Sequence, residues 1–326
     1  MRPLLGILLA LALAGCGSTG GQDRPNGEAT LLLDFQPNAV HAGLFLATER
    51  EYDLAEGIDL DVRVPGASTD ALKQLDAGRA DMAILDIHDV GLAREQGHDL
   101  VGVMAFVQRP LAAVLAEPGI GSPRDLEGQR VGVTGLPSDD AVLRSVVAGD
   151  GGDPDRVRST TIGFQAVKAL LAGRVAGATA FWSAEGVELR RQRPGIREFR
   201  VDEFGAPRYP ELVLTVTRRF LEDDAPEIRA TIRALQRGYA EAQRDPESAV
   251  AAMLEAEPGL DGDSLAAQLA AVEDAFTAGA SPFGQLRPDL LRAWARWDVR
   301  FGILQEPPDV ARAFDTSLVG VPEGNP

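Results

Sequence analysis

Three observations predict a two-lobed α/β protein. The segments Leu72-Lys-Gln-Leu-Asp-Ala-Gly-Arg-Ala-Asp-Met-Ala-Ile84 and Val167-Lys-Ala-Leu-Leu-Ala-Gly-Arg-Val-Ala-Gly-Ala-Thr179 hold the chain's only two lysines and align at one constant offset, pairing Lys73/Lys168, Leu75/Leu170, Ala77/Ala172, Gly78/Gly173, Arg79/Arg174 and Ala83/Ala178. Each reads as the end of an amphipathic helix, a glycine suited to the left-handed C′ position, and a short apolar strand. A single pair is too few for a solenoid, which needs roughly three or more stacked units. Strands and helices also alternate along the chain, as in a parallel sheet. The length, about 300 residues after an N-terminal leader, exceeds what one hydrophobic core organises. Two lobes imply a cleft.

The leader is read from Arg2 followed by an apolar run from Leu4 to Ala14, too short to span a bilayer and suited to a secretory signal over residues 1–15. Leu13-Ala-Gly-Cys16 resembles a bacterial lipobox, which implies cleavage before Cys16 and a diacylglycerol on its sulfur. With no other cysteine, disulfides and Cys-based metal sites are excluded. Residues 16–30, polar and Gly-rich, are expected to form a flexible tether. With 49 acidic against 32 basic residues the net charge is −17, which repels nucleic acid and anionic headgroups, so the lipid is expected to provide the membrane attachment. These readings place the folded part outside the cytoplasmic membrane.

Leu31 to Leu33 is a strand signal, followed by the turn Gln36-Pro-Asn38 and a helix through Leu44, Phe45 and Ala47. Further strands are expected at 60–64, 82–85, 101–106 and 111–115, with a helix over 69–76. Ser122-Pro-Arg-Asp125 opens a short helix and Arg130 to Thr134 is a strand. Then come a helix over 139–148, a strand near Thr161, a helix over 165–172, a strand over 177–181 and a helix over 183–191. Glu117-Pro-Gly119 and Arg208-Tyr-Pro210 are the expected crossovers, making residues 31–116 and 210–326 lobe 1 and 117–209 lobe 2. Leu212 to Thr217 alternates and returns to lobe 1. Beyond Asp224 the pattern is helical: Ile228, Ile232, Leu235 and Tyr239 share a face, as do Leu265, Leu269, Val272 and Phe276. Asp224, Asp245 and Asp263 stand at N-cap positions, and Trp294 and Trp297 are expected to pack in the core or between lobes.

In open α/β sheets ligands bind beyond the carboxyl ends of the strands. That rule selects Asp34, Phe35, Gln36, Asn38 and His41 after the first strand, and Asp86 and His88 after the 82–85 strand. It selects Gly135, Ser138 and Asp139 after Thr134, and Phe181, Trp182 and Glu185 after the 177–181 strand. Aromatic faces beside amides and carboxylates suit a flat, nitrogen-rich ring. Arg and Lys are absent from all four strand ends, so an anionic head lacks its usual counter-charge, and a neutral or weakly cationic heteroaromatic ligand is expected. Duller roles stay open: Ser138 and Asp139 also suit helix capping, Asp34 a turn brace, His41 a cap or core position, and Glu185 a solvated helix face. The three histidines lack metal-ligand spacing, and neither a metal nor a cofactor is expected.

The segment Asp34-Phe-Gln-Pro-Asn-Ala-Val-His-Ala-Gly-Leu-Phe-Leu-Ala47 resembles the signature of the NMT1/THI5-like family of solute-binding proteins. Ser122 to Val133, Gly135-Leu-Pro-Ser-Asp-Asp-Ala-Val142 and Gly205-Ala-Pro-Arg-Tyr-Pro-Glu-Leu-Val213 are similar to other phrases of that family. The resemblance implies a periplasmic-binding-protein fold of type II: two parallel-type sheets flanked by helices, a hinge, and a C-terminal helical buttress. It implies capture of a thiamine-pyrimidine precursor or a riboflavin-like nutrient for an ABC permease and its ATPase, by a lipid-anchored monomer. It carries Asn38, His41, Trp182 and Glu185 over as pocket residues, while Phe35 stands where the family commonly has Trp. Sulfonate, taurine or nitrate capture and a sensor role are the alternatives. Enzymatic relatives that build the thiamine pyrimidine use a Cys-rich segment that this chain lacks, so no enzyme is expected.

Overall fold

The computed structural model describes residues 27–66 and 70–320. The expected signal sequence, Cys16 and most of the expected tether lie outside the described residues. Residues 27–30, assigned above to the tether, instead open the first strand, because their backbone pairs in parallel with the strand at 58–63 and the Asp81 carboxylate accepts the Thr30 N–H at 2.8 Å.

Ten strands form two sheets among the described residues: β1 (Gly27–Leu32), β2 (Ile58–Arg63), β3 (Met82–Asp86), β4 (Leu100–Ala105), β5 (Ala112–Ala116), β6 (Arg130–Val133), β7 (Arg158–Thr161), β8 (Gly177–Phe181), β9 (Arg197–Arg200) and β10 (Leu212–Thr217). Their orders are β2-β1-β3-β10-β4 and β7-β6-β8-β5-β9, the same plan twice. In each, three parallel strands are followed by one antiparallel strand that has just arrived from the other lobe, β10 in the first sheet and β5 in the second. The sheets are therefore mixed rather than purely parallel. A chain entering from the hinge runs away from it, whereas β1, β3, β6 and β8 run toward the cleft.

Helices flank both sheets: α1 (Ala42–Glu49), α2 (Tyr52–Ala55), α3 (Asp70–Asp76), α4 (Ile87–Glu95), α5 (Pro137–Gly149), α6 (Ala166–Leu171) and α7 (Glu185–Gln192). After them come α8 (Arg218–Asp223), α9 (Ala225–Arg244), α10 (Pro246–Ala256), α11 (Gly262–Thr277), α12 (Pro288–Arg300) and α13 (Val310–Ala313). The repeated phrase is a repeated structure. Gly78 and Gly173 take φ of +64° and +63°, and their N–H groups donate to Leu75 and Leu170. Arg79 and Arg174 donate one residue further back, to Gln74 and Ala169, which completes the same C-terminal cap before β3 and β8.

β5 pairs with β8 and β9, so the first crossing between lobes is 106–111 and not Glu117–Gly119, which is a turn inside the second lobe. An apolar run such as Leu111–Leu115 reads alike whichever sheet receives it. The second crossing, 201–211, contains Arg208–Pro210. The sheets thus divide the chain into 27–105 with 212–320 and 112–200.

The α9 face of Ile228, Ile232, Leu235 and Tyr239 is buried. It lies so close to α1 that a Cβ on Gly238 would stand 2.1 Å from the Gly43 carbonyl oxygen, so only glycine permits this crossing. Asp245 caps α10, but the α11 cap is Asp261, which accepts the Ser264 N–H, and Asp263 falls inside the first turn. Asp224 occupies the N-cap position of α9 without a side-chain bond. The C-terminal helices span both lobes: Ser264 on α11 donates to Glu188 on α7 at 3.2 Å, and Trp297 on α12 donates to Ser145 on α5 at 3.3 Å.

Candidate functional site

The carboxyl ends of β1, β3, β6 and β8 face one another across a cavity of about 320 Å³. One wall is the loop Asp34–Asn38 after β1, with Asp86 at the end of β3 and Asp89 in the first turn of α4. The other wall is Thr134, Ser138 and Asp139 after β6, Phe164 after β7, and Phe181, Glu185 and Glu188 at the β8–α7 junction. Gln268 reaches in from α11. Six carboxyl groups, Asp34, Asp86, Asp89, Asp139, Glu185 and Glu188, line this space together with no Arg or Lys.

Local bonds hold the first wall. The Asn38 Oδ1 accepts the Val40 N–H at 3.0 Å and its Nδ2 donates to the Gln36 carbonyl at 3.1 Å, so its side chain shapes the loop as well as lining the cavity. His41 is 0% exposed and stands behind the wall. Its Nδ1 accepts the Asn38 N–H at 3.2 Å, which leaves the hydrogen on Nε2 to donate to Asp34 at 2.7 Å. The Gln268 side-chain oxygen accepts the Ala39 N–H at 3.3 Å. His41 therefore orients Asp34 rather than meeting a ligand, a correction to its expected role.

In the second wall Asp139 accepts the Thr134 N–H at 2.7 Å and the Thr134 hydroxyl. Glu185 accepts the Phe181 N–H at 3.2 Å. Burial raises the pKa of both carboxyls; Thr134 partly offsets the effect at Asp139, whereas Asp139 and Asp34 add to it at Glu185. Burial also lifts Asp86 well above the usual carboxylate range, helped by Glu211 and Asp89. Excess negative charge in a confined space favours protonated acids or a cationic guest.

Two other expectations are corrected. Trp182 is 1% exposed, its Nε1 donates to the Pro110 carbonyl at 2.9 Å, and the Arg200 guanidinium stacks 3.8 Å from its ring. Successive residues at a strand end point oppositely, so with Phe181 in the cavity Trp182 faces the hinge. Gly135 is not in the cavity wall; at φ +102° it serves the turn after β6. Asp34, Phe35, Asn38, Asp86, Ser138, Asp139 and Glu185 are brought together as wall residues.

Sequence reasoning missed Phe164, Thr134, Glu188 and Gln268. The strand-end rule applied to β7 would have found Phe164; nothing local marks Gln268, which only the packing of α11 brings to the cleft. Asp86, His88 and Glu211 place ligand-type atoms within 4.8 Å of one another, but His88 is engaged on both ring nitrogens, by Asp298 and by Tyr209.

Two lobes, two crossings and an interlobe cavity at the strand ends define a periplasmic-binding-protein fold. A sequence model described as NMT1/THI5 like matches residues 38–249, and the chain belongs to that family. It is 32% identical, over 256 residues covering 77% of this chain and 78% of the relative, to the formylaminopyrimidine-binding protein of Halalkalibacterium halodurans. It is 21% identical, over 72% of this chain and 73% of the relative, to the 4-amino-5-hydroxymethyl-2-methylpyrimidine phosphate synthase THI5 of Saccharomyces cerevisiae. Its fold matches the periplasmic aliphatic sulphonate binding protein SsuA of Escherichia coli with a TM-score of 0.71 at 15% identity, covering 88% of this chain and 97% of that one.

Proposed function

We propose that this chain is the extracytoplasmic solute-binding protein of an ABC importer and that it captures a small, unphosphorylated, amino-bearing pyrimidine of the thiamine-precursor class. The observation that carries this reading is a cavity walled by six carboxyls and aromatic rings without one Arg or Lys. A ring with amino groups and protonatable nitrogens donates to carboxylates, whereas a sulfonate, nitrate or phosphate ester would meet like charge on both walls. At about 320 Å³ the space stands at the small end of ligand pockets, typically ~300–1,000 Å³, which favours one ring over a flavin. The name of the Halalkalibacterium relative supports the same class.

Binding rather than catalysis is supported by that relative and by His41, which is buried and bonded at both nitrogens and so is not free as a reactive group. Closure would bend the two crossings, driven by contacts the ligand makes with both lobes only in the shut form. The Leu13-Ala-Gly-Cys16 sequence supports lipid anchoring at Cys16, and the protein would act as a monomer that delivers to a permease and ATPase.

Thermal shift tests the reading. 4-Amino-5-hydroxymethyl-2-methylpyrimidine is expected to raise the melting temperature, and taurine, nitrate and riboflavin to leave it unchanged. Stabilisation by taurine with none by the pyrimidine would reject it. Mass spectrometry of membrane-extracted protein tests the anchor, with acyl mass expected on Cys16.

A further inference from the structure

Asp86 lines the cavity from the end of β3, and behind it stands Glu211, 1% exposed, at the close of the second crossing. The Glu211 Oε2 accepts the N–H groups of Leu111 at 2.8 Å and Ala112 at 3.4 Å, where the first crossing becomes β5. Its backbone carbonyl accepts the Ile87 N–H at 2.9 Å. One residue therefore joins both hinge strands to the start of α4.

The Glu211 and Asp86 carboxyl oxygens come within 4.8 Å of each other beside a cavity wall without Arg or Lys, and two acids this close favour holding one proton between them. His88, raised to about 9, is cationic near neutrality and draws Asp86 down, but it does not cancel the effect of burial there. Its Nδ1 faces Asp298 on α12 at 2.8 Å, its Nε2 faces the Tyr209 hydroxyl at 3.2 Å, and it reaches Glu211 only at 4.0 Å. Asp89 adds a further acid on α4, and Asp202 and Asp34 act on the cluster from the second crossing and from the loop after β1. Burial pushes Glu211 up to about 7 and lifts Asp86 well above the usual carboxylate range.

We propose, building on the aminopyrimidine reading above, that Asp86 and Glu211 share one proton before ligand enters, and that a cationic ligand group beside Asp86 releases this proton to water. The ligand's charge then replaces the proton as the counter-charge of Asp86. Glu211 is a positioning residue: it does not line the cavity, and acts through Asp86 and the hinge.

Titration calorimetry tests this with 4-amino-5-aminomethyl-2-methylpyrimidine, whose ammonium group is already charged near neutral pH. In phosphate and in imidazole buffers, which differ in heat of ionisation, the wild-type protein should release about one proton per ligand, and its affinity should tighten up to about tenfold per pH unit near pH 7. Glu211→Gln keeps an oxygen for the hinge N–H groups and an amide donor for Asp86. It should bind with no proton release and a flat pH profile. Binding with equal heats in both buffers overturns the shared proton and leaves the aminopyrimidine reading standing. Undiminished release in Glu211→Gln assigns the proton to Asp139 or Glu185 and overturns the proposal as well. Failure to bind any aminopyrimidine removes both. Should Glu211→Gln not fold, the wild-type comparison of the two buffers still decides whether a proton leaves, and Asp86→Asn, which should release none, decides its origin.

Discussion

Phe35 and Phe164 meet across the mouth of the cleft with ring centroids 5.0 Å apart and planes tilted by 36°. One ring comes from the loop after β1, the other from the segment after β7, so the contact exists only while the lobes are close together. Phe164 is nonetheless 46% exposed, an unusual position for a large apolar ring unless it closes something.

Phe164→Ala is therefore expected to speed ligand release. An aromatic pair of this kind contributes ~0.5–1.5 kcal/mol beyond its buried area, so dissociation should rise about 2- to 13-fold. Stopped-flow fluorescence would measure it, and unchanged release with an unchanged melting temperature would show that the pair does not seal the cleft.

Glu185→Gln separates charge from shape. The amide oxygen can still accept the Phe181 N–H, but the charge-assisted bond to a ligand amino group is lost, so affinity should fall about tenfold. Stability without ligand should hold or rise, because a carboxyl whose pKa burial raises is no longer buried beside Asp139 and Asp34. Calorimetry and thermal melts together would check both parts.

Asn38→Ala is expected to reduce stability as well as affinity. Its side-chain oxygen caps the turn Ala39–His41, and losing such a cap costs ~0.5–2 kcal/mol. Urea melts of the ligand-free protein should show the loss.

Trp182 is expected to matter to folding more than to ligand contact. Trp182→Ala should cost ~3–5 kcal/mol, whereas Trp182→Phe, which gives up chiefly the bond to the Pro110 carbonyl, should cost ~1 kcal/mol. Equal urea midpoints for the two variants would contradict this assignment.

The ligand-free protein should lose stability as pH rises from about 5 to 9. Glu211 is pushed up to about 7 from an ordinary 4.5, so its contribution is present below 4.5 and lost as pH climbs through about 7. His88, raised to about 9 from 6.5 by Asp298 and Asp86 against the opposing effect of burial, contributes fully below 6.5 and loses that contribution through about 9. Glu211 holds its extra proton between about 4.5 and 7 and His88 between about 6.5 and 9, so one contribution is lost after the other as pH rises. Differential scanning calorimetry should show the melting temperature falling by several degrees, at roughly 2–4 °C per kcal/mol for a chain of this size.

The twin phrases around Gly78 and Gly173 were legible because a left-handed cap leaves a local mark, a glycine between an amphipathic turn and an apolar run. The wall residues Asp34, Asp86, Asp139 and Glu185 were legible for a related reason: each follows a strand end by a few residues, where α/β geometry puts ligands. Trp182 was misplaced by a single step in that register. The crossing at 106–111 was misplaced because Pro and Gly mark turns, and a turn within a lobe looks like a turn between lobes.

Local sequence by itself determined the two-lobed plan, the twin glycine caps and the acidic strand ends, since each depends on backbone preferences and periodicities that span only a few residues. Only the tertiary structure decided which sheet received β5, that His41 braces Asp34 from behind, that Phe164 and Gln268 reach the cleft, and that Asp86 stands within 4.8 Å of Glu211. These contacts join residues up to about 230 positions apart, as Ala39 and Gln268 show. Burial, which sets the charge state of every acid in the cavity, is a property of the packed molecule and of no segment within it.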